Sequence, residues 1–395
     1  MTVPLLAVAD AQARLLALAT PVATERVPLP DAAGRWAAED VVARRTQPAA
    51  DLSVMDGYAL RFADLPGPLR LIGESAAGRP FAGTIQPGEA TRIFTGAIMP
   101  AGADTVLVQE DTEDRGGMIH LTGPGPARAG AHIRPRGLDF AEGDPLIAAG
   151  ERLTPARIAL SALAGHGTLS VHRPLRIAVA ATGDELVPPG APVADGRLPE
   201  SNGAMVAAML AAWPVQVVQL GILPDRLDSL TAAFAGVEAD ILVTSGGASV
   251  GDHDLVRPAL EAAGAAIDFW RVAVRPGRPM MAGRLGSAVV LGLPGNPVSA
   301  FVTATLFLHP LIAALSGASD PLPRTRRVPL GAALPANDSR ADYLRAELRG
   351  GQAFALPMQD SSMVRALARA TCLIVRPPHA PAAEIGDSAE ILDLA

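Results

Sequence analysis

Four short segments hold residue types that could do chemistry together. In Ala181-Thr-Gly-Asp-Glu-Leu186 an apolar run ends on Gly183 and two acids. Carboxylates placed there can hold Mg²⁺, an oxygen-seeking cation that usually bridges to a phosphate. In Thr244-Ser-Gly-Gly-Ala-Ser-Val-Gly-Asp-His-Asp254, glycines and serines precede a helical pattern. Glycine lets backbone N–H groups close on an anion, and a helix N-terminus adds favourable partial charge. Asp252 and Asp254 in the same segment point to a metal between acid and anion, whereas His253 lacks the neighbours of a metal set and reads as a surface residue. In Arg271-Val-Ala-Val-Arg-Pro-Gly-Arg-Pro279, three arginines surround a Pro-Gly turn. Guanidinium forks suit phosphates and other tetrahedral oxyanions. In Gly292-Leu-Pro-Gly-Asn-Pro-Val-Ser299, prolines stiffen a loop whose Asn296, Ser299 and N–H groups can face a ligand. Taken singly, each segment also fits a solvated turn or an ordinary helix start. Taken together, they imply metal-assisted handling of a phosphate or anhydride. No Ser-His-Asp order and no Cys beside a glycine-rich loop points to a side-chain nucleophile.

Such segments act together only if the elements around them bring them to one edge. Residues 175–181, 215–223, 240–244 and 288–293 read as strands. Residues 201–213, 225–235, 254–263 and 298–315 read as helices, the first capped by Ser201 or Asn202. This alternation predicts a doubly wound α/β unit with a parallel sheet covered on both faces. Ligands then bind outside the carboxyl ends of the strands, where several of these segments fall. Upstream, a helix is expected over residues 8–20, stopped by Pro21, and another over 154–164 with Thr154 as N-cap and Pro155 at its first position. Between them, short strands at 69–72, 90–94, 105–109 and 118–121 alternate with Gly/Pro turns, the pattern of an inserted all-β unit. Ser53-Val-Met-Asp-Gly-Tyr58 and Arg92-Ile-Phe-Thr-Gly-Ala-Ile-Met-Pro100 lie there, with Met55, Tyr58, Phe94 and Met99 expected in its core and Asp56 and Thr95 beside glycines. Residues 322–395 return to short strands and turns.

Composition sets the frame. The 395 residues allow two to four domains at roughly 100–200 residues each. With 49% hydrophobic and 18% charged residues the chain can bury sizeable cores. The formal net charge of -7 argues against a nucleic-acid protein, which usually carries a basic excess. Cys372 is the only cysteine, so neither a disulfide framework nor a thiolate metal cage is expected, and a reducing cytoplasmic setting fits. Met1 to Asp10 lacks a basic start, so no secretory leader is read there. The apolar run 298–315 falls short of the roughly 20 residues of a membrane span and reads as a core helix.

The motifs SVMDGYA, RIFTGAIMP, ATGDEL, SGGASVGDHD, RPGRP and LPGNPVS occur in this order. The set resembles the molybdopterin molybdenumtransferases, the family of MoeA and the E domain of gephyrin, from near the N-terminus to about residue 318 and more weakly beyond. The resemblance implies a MogA-like α/β domain at 174–318 and an N-terminal linker and dimerisation domain at 1–47 and 146–173. It also implies an inserted β domain at 48–145 and a small C-terminal β-barrel domain at 322–395. It implies an enzyme that takes adenylylated molybdopterin and molybdate, hydrolyses the adenylate with Mg²⁺, inserts molybdenum into the pterin dithiolene and releases AMP. It further implies a homodimer whose cleft is shared, transient contact with a molybdopterin adenylyltransferase and cofactor-maturation proteins, and neither nucleic acid nor membrane as partner. Position by position, Asp56, Thr95, Asp139, Glu185, Asp225 and Asp254 match catalytic cleft residues, with Asp254 and Glu185 near the metal. Ser245, Gly246, Gly247, Ser249, Arg271, Pro294 and Pro297 match the pterin-nucleotide site. Arg275, Arg278, Pro279 and Ser299 match the molybdate site, with Arg345 and one of Ser361 or Ser362 as its remaining contacts. The family often has lysine where this chain has Arg271, Arg275 and Arg278, Leu138 replaces a common glutamate before Asp139, and Ala370-Thr-Cys372 departs from the usual Ala-Asn-Gly. Tungstate has nearly the size and charge of molybdate and fits the same residues. An adenylyltransferase-type activity, or a scaffold of the same fold without catalysis, are the competing readings. The N-terminal motifs argue against the first and the retained acids against the second.

Overall fold

The apolar strand Leu175–Thr182 is buried along nearly its whole length, as a strand covered on both faces must be. Its alternate side chains divide between two cores: Ile177 and Val179 pack with Val206, Leu291 and Leu306, while Ala178 and Ala180 pack with Leu230, Phe234 and Leu260. The structure, a computed structural model, describes residues 5–246 and 255–394. Gly247, Ser249, Asp252, His253 and Asp254 lie outside the described residues.

The central sheet has the order Val215–Leu223, Leu175–Thr182, Ile241–Ser245, Ala288–Leu293, Pro279–Leu285, Ala266–Arg271. The first four strands are parallel. The sheet is not parallel throughout, because Pro279–Leu285 runs antiparallel to both its neighbours. The reversal comes from the RPGRP segment, which lies between Ala266–Arg271 and Pro279–Leu285 and turns the chain back. Helices Asn202–Leu210, Leu227–Ala235 and Val256–Ala262 follow the parallel strands. The apolar helix Pro297–Leu315 is long and apolar enough to cross a bilayer, but 83% of its apolar window is buried inside the protein. A π turn at Ala304–Leu308 interrupts it just before Pro310, whose missing N–H would leave a regular helix one bond short. Gln12, on helix Val8–Ala17, donates to the Leu306 carbonyl in that turn at 2.9 Å.

The N-terminal region pairs Thr24–Pro28 with Thr168–His172 and Val41–Val42 with Pro145–Ile147 around helix Pro155–Leu163, whose Thr154 cap accepts from the Arg157 N–H. Arg152 joins it to the α/β unit. Its guanidinium lies 5.4 Å from the ring centres of both Trp36 and Trp213. The inserted unit is a six-stranded sheet in the order Thr105–Val108, Gly57–Leu60, Glu89–Ile93, Leu69–Ser75, Met118–Leu121, Thr112–Asp114.

The C-terminal strands Arg326–Pro329, Ala341–Arg349, Gln352–Ala355, Cys372–Arg376 and Ser388–Asp393 form a second antiparallel sheet. A bridge from Leu330 to Ala353 brings its two ends together into a small barrel. The α/β unit contributes to it directly, since Val274–Arg275 adds a parallel edge pairing to Ala341–Asp342.

Candidate active site

The register sets Ala181 beside Ser245 and Ser245 beside Leu293, so ATGDEL, Ser245-Gly246 and LPGNP leave the sheet side by side. Two of the glycines are required there. Gly183 has φ +147°, and a Cβ on it would come within 2.6 Å of the Glu185 carboxylate, which folds back over it. Gly246 has φ +91°, and its Cβ would sit 2.4 Å from the Thr182 carbonyl oxygen. Asn202 ties two of the loops together: its Nδ2 donates to Ser245 Oγ and to Gly295 O, both at 2.7 Å. Only an N–H can face the Gly295 carbonyl, so the amide orientation is fixed and Oδ1 is left buried without a partner. Ser201, expected as a cap, makes no capping bond, and Asn202 spends its amide on the loops instead of the helix end.

The acids lie on the first loop and beyond the next strand. Asp184 N donates to Asp225 Oδ2 at 3.3 Å and Asp225 N returns a bond to Asp184 Oδ1 at 3.1 Å. Burial pushes the Asp225 pKa up, the bond from Asp184 N–H pulls it down, and the like charges of Asp184 and Glu185 add to the rise. Like charges brought together this way favour a cation between them. Among the described residues, no three His, Cys, Asp or Glu side chains form a metal cage by themselves. One or two carboxylates completed by a phosphate is the arrangement magnesium ordinarily accepts, so Glu185 fits it.

The opposite wall holds the cationic and hydroxyl groups. Gly277, at φ +117°, brings the RPGRP turn so close to helix Pro297–Thr303 that a Cβ would lie 2.5 Å from Thr303 Cγ2. Ser299 is buried in the first turn of that helix, behind the buried Pro294 and half-buried Pro297. Arg278 is exposed, and its guanidinium makes no bond among the described residues. Arg271 pairs in register with Pro279 across the hairpin. Arg275, expected beside the oxyanion, spends its guanidinium on Asp342, Asp338 and Asn337.

The barrel closes over this wall. Ser361 O accepts from Val298 N at 3.2 Å, and Ser361 Oγ accepts from Asn296 Nδ2 at 2.9 Å. Ser362 Oγ donates to Asp360 at 2.6 Å, which together with the Ser362 N–H holds the Asp360 carboxyl below its usual range. Arg345 is 1% exposed, donates through Nη2 to Asp360 O at 3.1 Å and has no partner for Nε. Burial pulls its pKa down against the attraction of Asp342 and Asp360. A buried guanidinium with a spare N–H is equipped to receive an anion.

Asp56, Thr95 and Asp139 stand apart. Asp56 Oδ1 accepts from Thr95 N at 2.7 Å and Thr95 Oγ1 at 2.9 Å, and these bonds hold its carboxyl below the usual range. Asp139 is exposed, its N–H bonded to Gln47 O. Among the described residues, the hydrogen bonds of the inserted unit stay within it or run to residues 41–47 at its base, and none reaches the strand-end crevice. A separate cleft of about 510 Å³ lies at the amino ends of the strands, where Arg173 pairs with Asp240. It faces away from every motif. Sequence reasoning passed over the bridging role of Asn202, as well as Asn337, Asp338, Asp342 and Asp360. Asn202 had a visible signal, but a helix-start Asn reads first as a cap, and the acids of strands and turns read as solvated.

Comparison with known proteins follows the same divisions. Residues 6–165 match the MoeA N-terminal region (domain I and II), 178–314 a probable molybdopterin binding domain and 327–394 the MoeA C-terminal region (domain IV). The chain is 40% identical over 303 residues to a molybdopterin molybdenumtransferase of Haemophilus influenzae, covering 75% of this chain and 74% of the relative. It is 34% identical over 384 residues to molybdopterin molybdenumtransferase 2 of Mycobacterium tuberculosis, covering 93% and 94%. The crystal structure of a molybdopterin biosynthesis moeA protein from Pyrococcus horikosii superimposes with a TM-score of 0.79 at 28% identity, covering 99% of each chain.

Proposed function

Because the chain belongs to the MoeA family of molybdopterin molybdenumtransferases, we propose that it inserts molybdenum from molybdate into adenylylated molybdopterin and releases AMP. The observation that carries this reading is the joining of two strand-end loops to the barrel: Asn202 links the Ser245 and LPGNP loops, and Ser361 links LPGNP to the barrel segment whose Asp360 carbonyl accepts from Arg345. One wall is anionic and suited to a cation and a phosphate. The other is cationic and suited to an oxyanion.

In this reading Ser245 and the glycines beside it present N–H groups to the adenylate phosphate. Arg278, Ser299, Arg345 and the hydroxyls of Ser361 and Ser362 face the molybdate. Asp225, whose carboxyl is pushed up in pKa, is suited to take the proton of the water that cleaves the anhydride. Glu185, with Asp254, would hold magnesium, which when bound neutralises charge developing on the phosphate. The dithiolene supplies the sulfur ligands, so the single buried Cys372 need not. Asp56, Thr95 and Asp139 complete the cleft from a second copy of the chain in a homodimer, which accounts for their separation from the crevice within one chain. Hand-over of the adenylylated pterin from an adenylyltransferase, in the cytoplasm, fits the same reading.

The test is AMP release from adenylylated molybdopterin with and without molybdate and Mg²⁺. Release that needs both, together with active cofactor, is expected. Tight pterin binding without release would refute the insertase reading and favour a scaffold.

A further inference from the structure

Arg275 lies where the oxyanion wall meets the barrel, and its guanidinium is committed. Nε and Nη2 grip the two oxygens of Asp342 at 2.8 and 2.5 Å. Nη2 also donates to Asn337 Oδ1 at 3.0 Å and Nη1 to Asp338 Oδ2 at 2.9 Å. Four of its five N–H donors are thereby taken. The acceptors are held in turn. Asn337 Nδ2 donates to the carbonyls of Arg340, Arg376 and Pro377, and its oxygen accepts from the Asp338 N–H as well as from the arginine. Asp342 is 7% exposed, so its charge has little recourse to water. The backbone repeats the joint: Val274–Arg275 pairs with Ala341–Asp342, and Ala341 N donates to Ala273 O at 2.9 Å.

We propose that Arg275 is a positioning residue that clamps the RPGRP turn to the barrel, setting Arg345 and Ser361 against the LPGNP helix, and that it does not itself grip the oxyanion. The proposal rests on the oxyanion reading of that wall. The strand that receives the clamp, Ala341–Arg349, carries Arg345. The turn that makes the clamp is seated on helix Pro297–Thr303, whose second residue bonds Ser361. A lysine could not reproduce it, because one ammonium cannot span both oxygens of a carboxylate while also reaching an amide and a second acid. Arginine here serves the joint between domains.

The experiment uses the full chain as native protein, Arg275→Met, Arg275→Lys, Asp342→Asn and the double variant Arg275→Met/Asp342→Asn. Molybdate alone is titrated calorimetrically, and amide hydrogen exchange is followed over residues 341–346 and 359–362. Arg275→Met and Asp342→Asn should both weaken molybdate binding about tenfold and speed exchange in both segments. The double variant should be no worse than either single one, and Arg275→Lys should fall between native and Arg275→Met. If Arg275 were an oxyanion ligand, Asp342→Asn would free its fork, remove a negative charge and tighten molybdate, while Arg275→Met weakened it. Opposite signs would overturn the proposal, as would faster exchange with unchanged molybdate affinity. If the native chain binds no molybdate, the oxyanion reading fails on its own, and exchange unaltered in Asp342→Asn, an isosteric variant that should fold, then overturns the clamp.

Discussion

Replacing Asn202 by aspartate changes one NH₂ group into an oxygen, and the surroundings make that change severe. The native Nδ2 donates at 2.7 Å to both Ser245 Oγ and Gly295 O, at a residue 7% exposed. In Asn202→Asp the Gly295 carbonyl faces another acceptor, while the Ser245 hydroxyl can turn to donate. One bond worth about 0.5–1.5 kcal/mol net is lost outright, and an unpaired charge is left buried, so a cost of about 3–5 kcal/mol is expected at neutral pH. Asn202→Ala loses both bonds but introduces no charge and removes the unpartnered Oδ1, so it should cost less, about 1–2 kcal/mol. The sign with pH is opposite to that of an ion-paired acid. A buried carboxylate facing a carbonyl has its folded pKa raised, and once protonated it donates as the amide did. The folded variant then binds more protons than the unfolded chain. Its deficit against the native protein shrinks as pH falls through the folded pKa and stops shrinking below the unfolded value of about 3.9. Urea unfolding of the native protein, Asn202→Ala and Asn202→Asp between about pH 8 and pH 5 measures this directly. A deficit of Asn202→Asp that stays level or deepens on acidification would refute the bridging role.

Gly246→Ala should cost about 1–3 kcal/mol of strain and displace the SGG turn, because it combines φ +91° with a Cβ 2.4 Å from the Thr182 carbonyl; thermal unfolding and AMP binding should both weaken. Asp225→Asn should remove the acidic limb of the pH–rate profile together with most activity, since a carboxylate with a raised pKa is lost as pH falls through that pKa. The same substitution should raise Tm at neutral pH, where burial and the like charges of Asp184 and Glu185 disfavour the native ionised form, and an unchanged Tm would argue against that repulsion. Asp56→Ala and Asp225→Asn chains should each be inactive but recover roughly a quarter of native activity when mixed, because about half the dimers would be hybrids with one intact shared cleft. No recovery would place both residues in one chain's site.

Much of this protein is legible from the chain alone because it depends on local order. Period and turn chemistry mark the strands at 175–181 and 288–293, the helix behind Thr154, and the strand–loop–helix boundaries where Gly183 and Gly246 are needed for their backbone conformations. Those boundaries already place the chemistry at strand carboxyl ends. What the chain alone does not fix is which donor meets which acceptor. Arg275 reads as an oxyanion ligand until Asp342, 67 residues later, is folded against it. Asn202 reads as a helix cap until Gly295, 93 residues away, comes within 2.7 Å. The reversed strand Pro279–Leu285 depends on a neighbour chosen across the sheet. A side-chain hydrogen bond is decided within a few tenths of an ångström, and sequence spacing carries no such information for groups brought together by the packing of separate domains. Residue types and local period therefore set the kind of chemistry and the edge of the sheet that hosts it, while tertiary packing alone decides whether an arginine faces a ligand or holds two domains together.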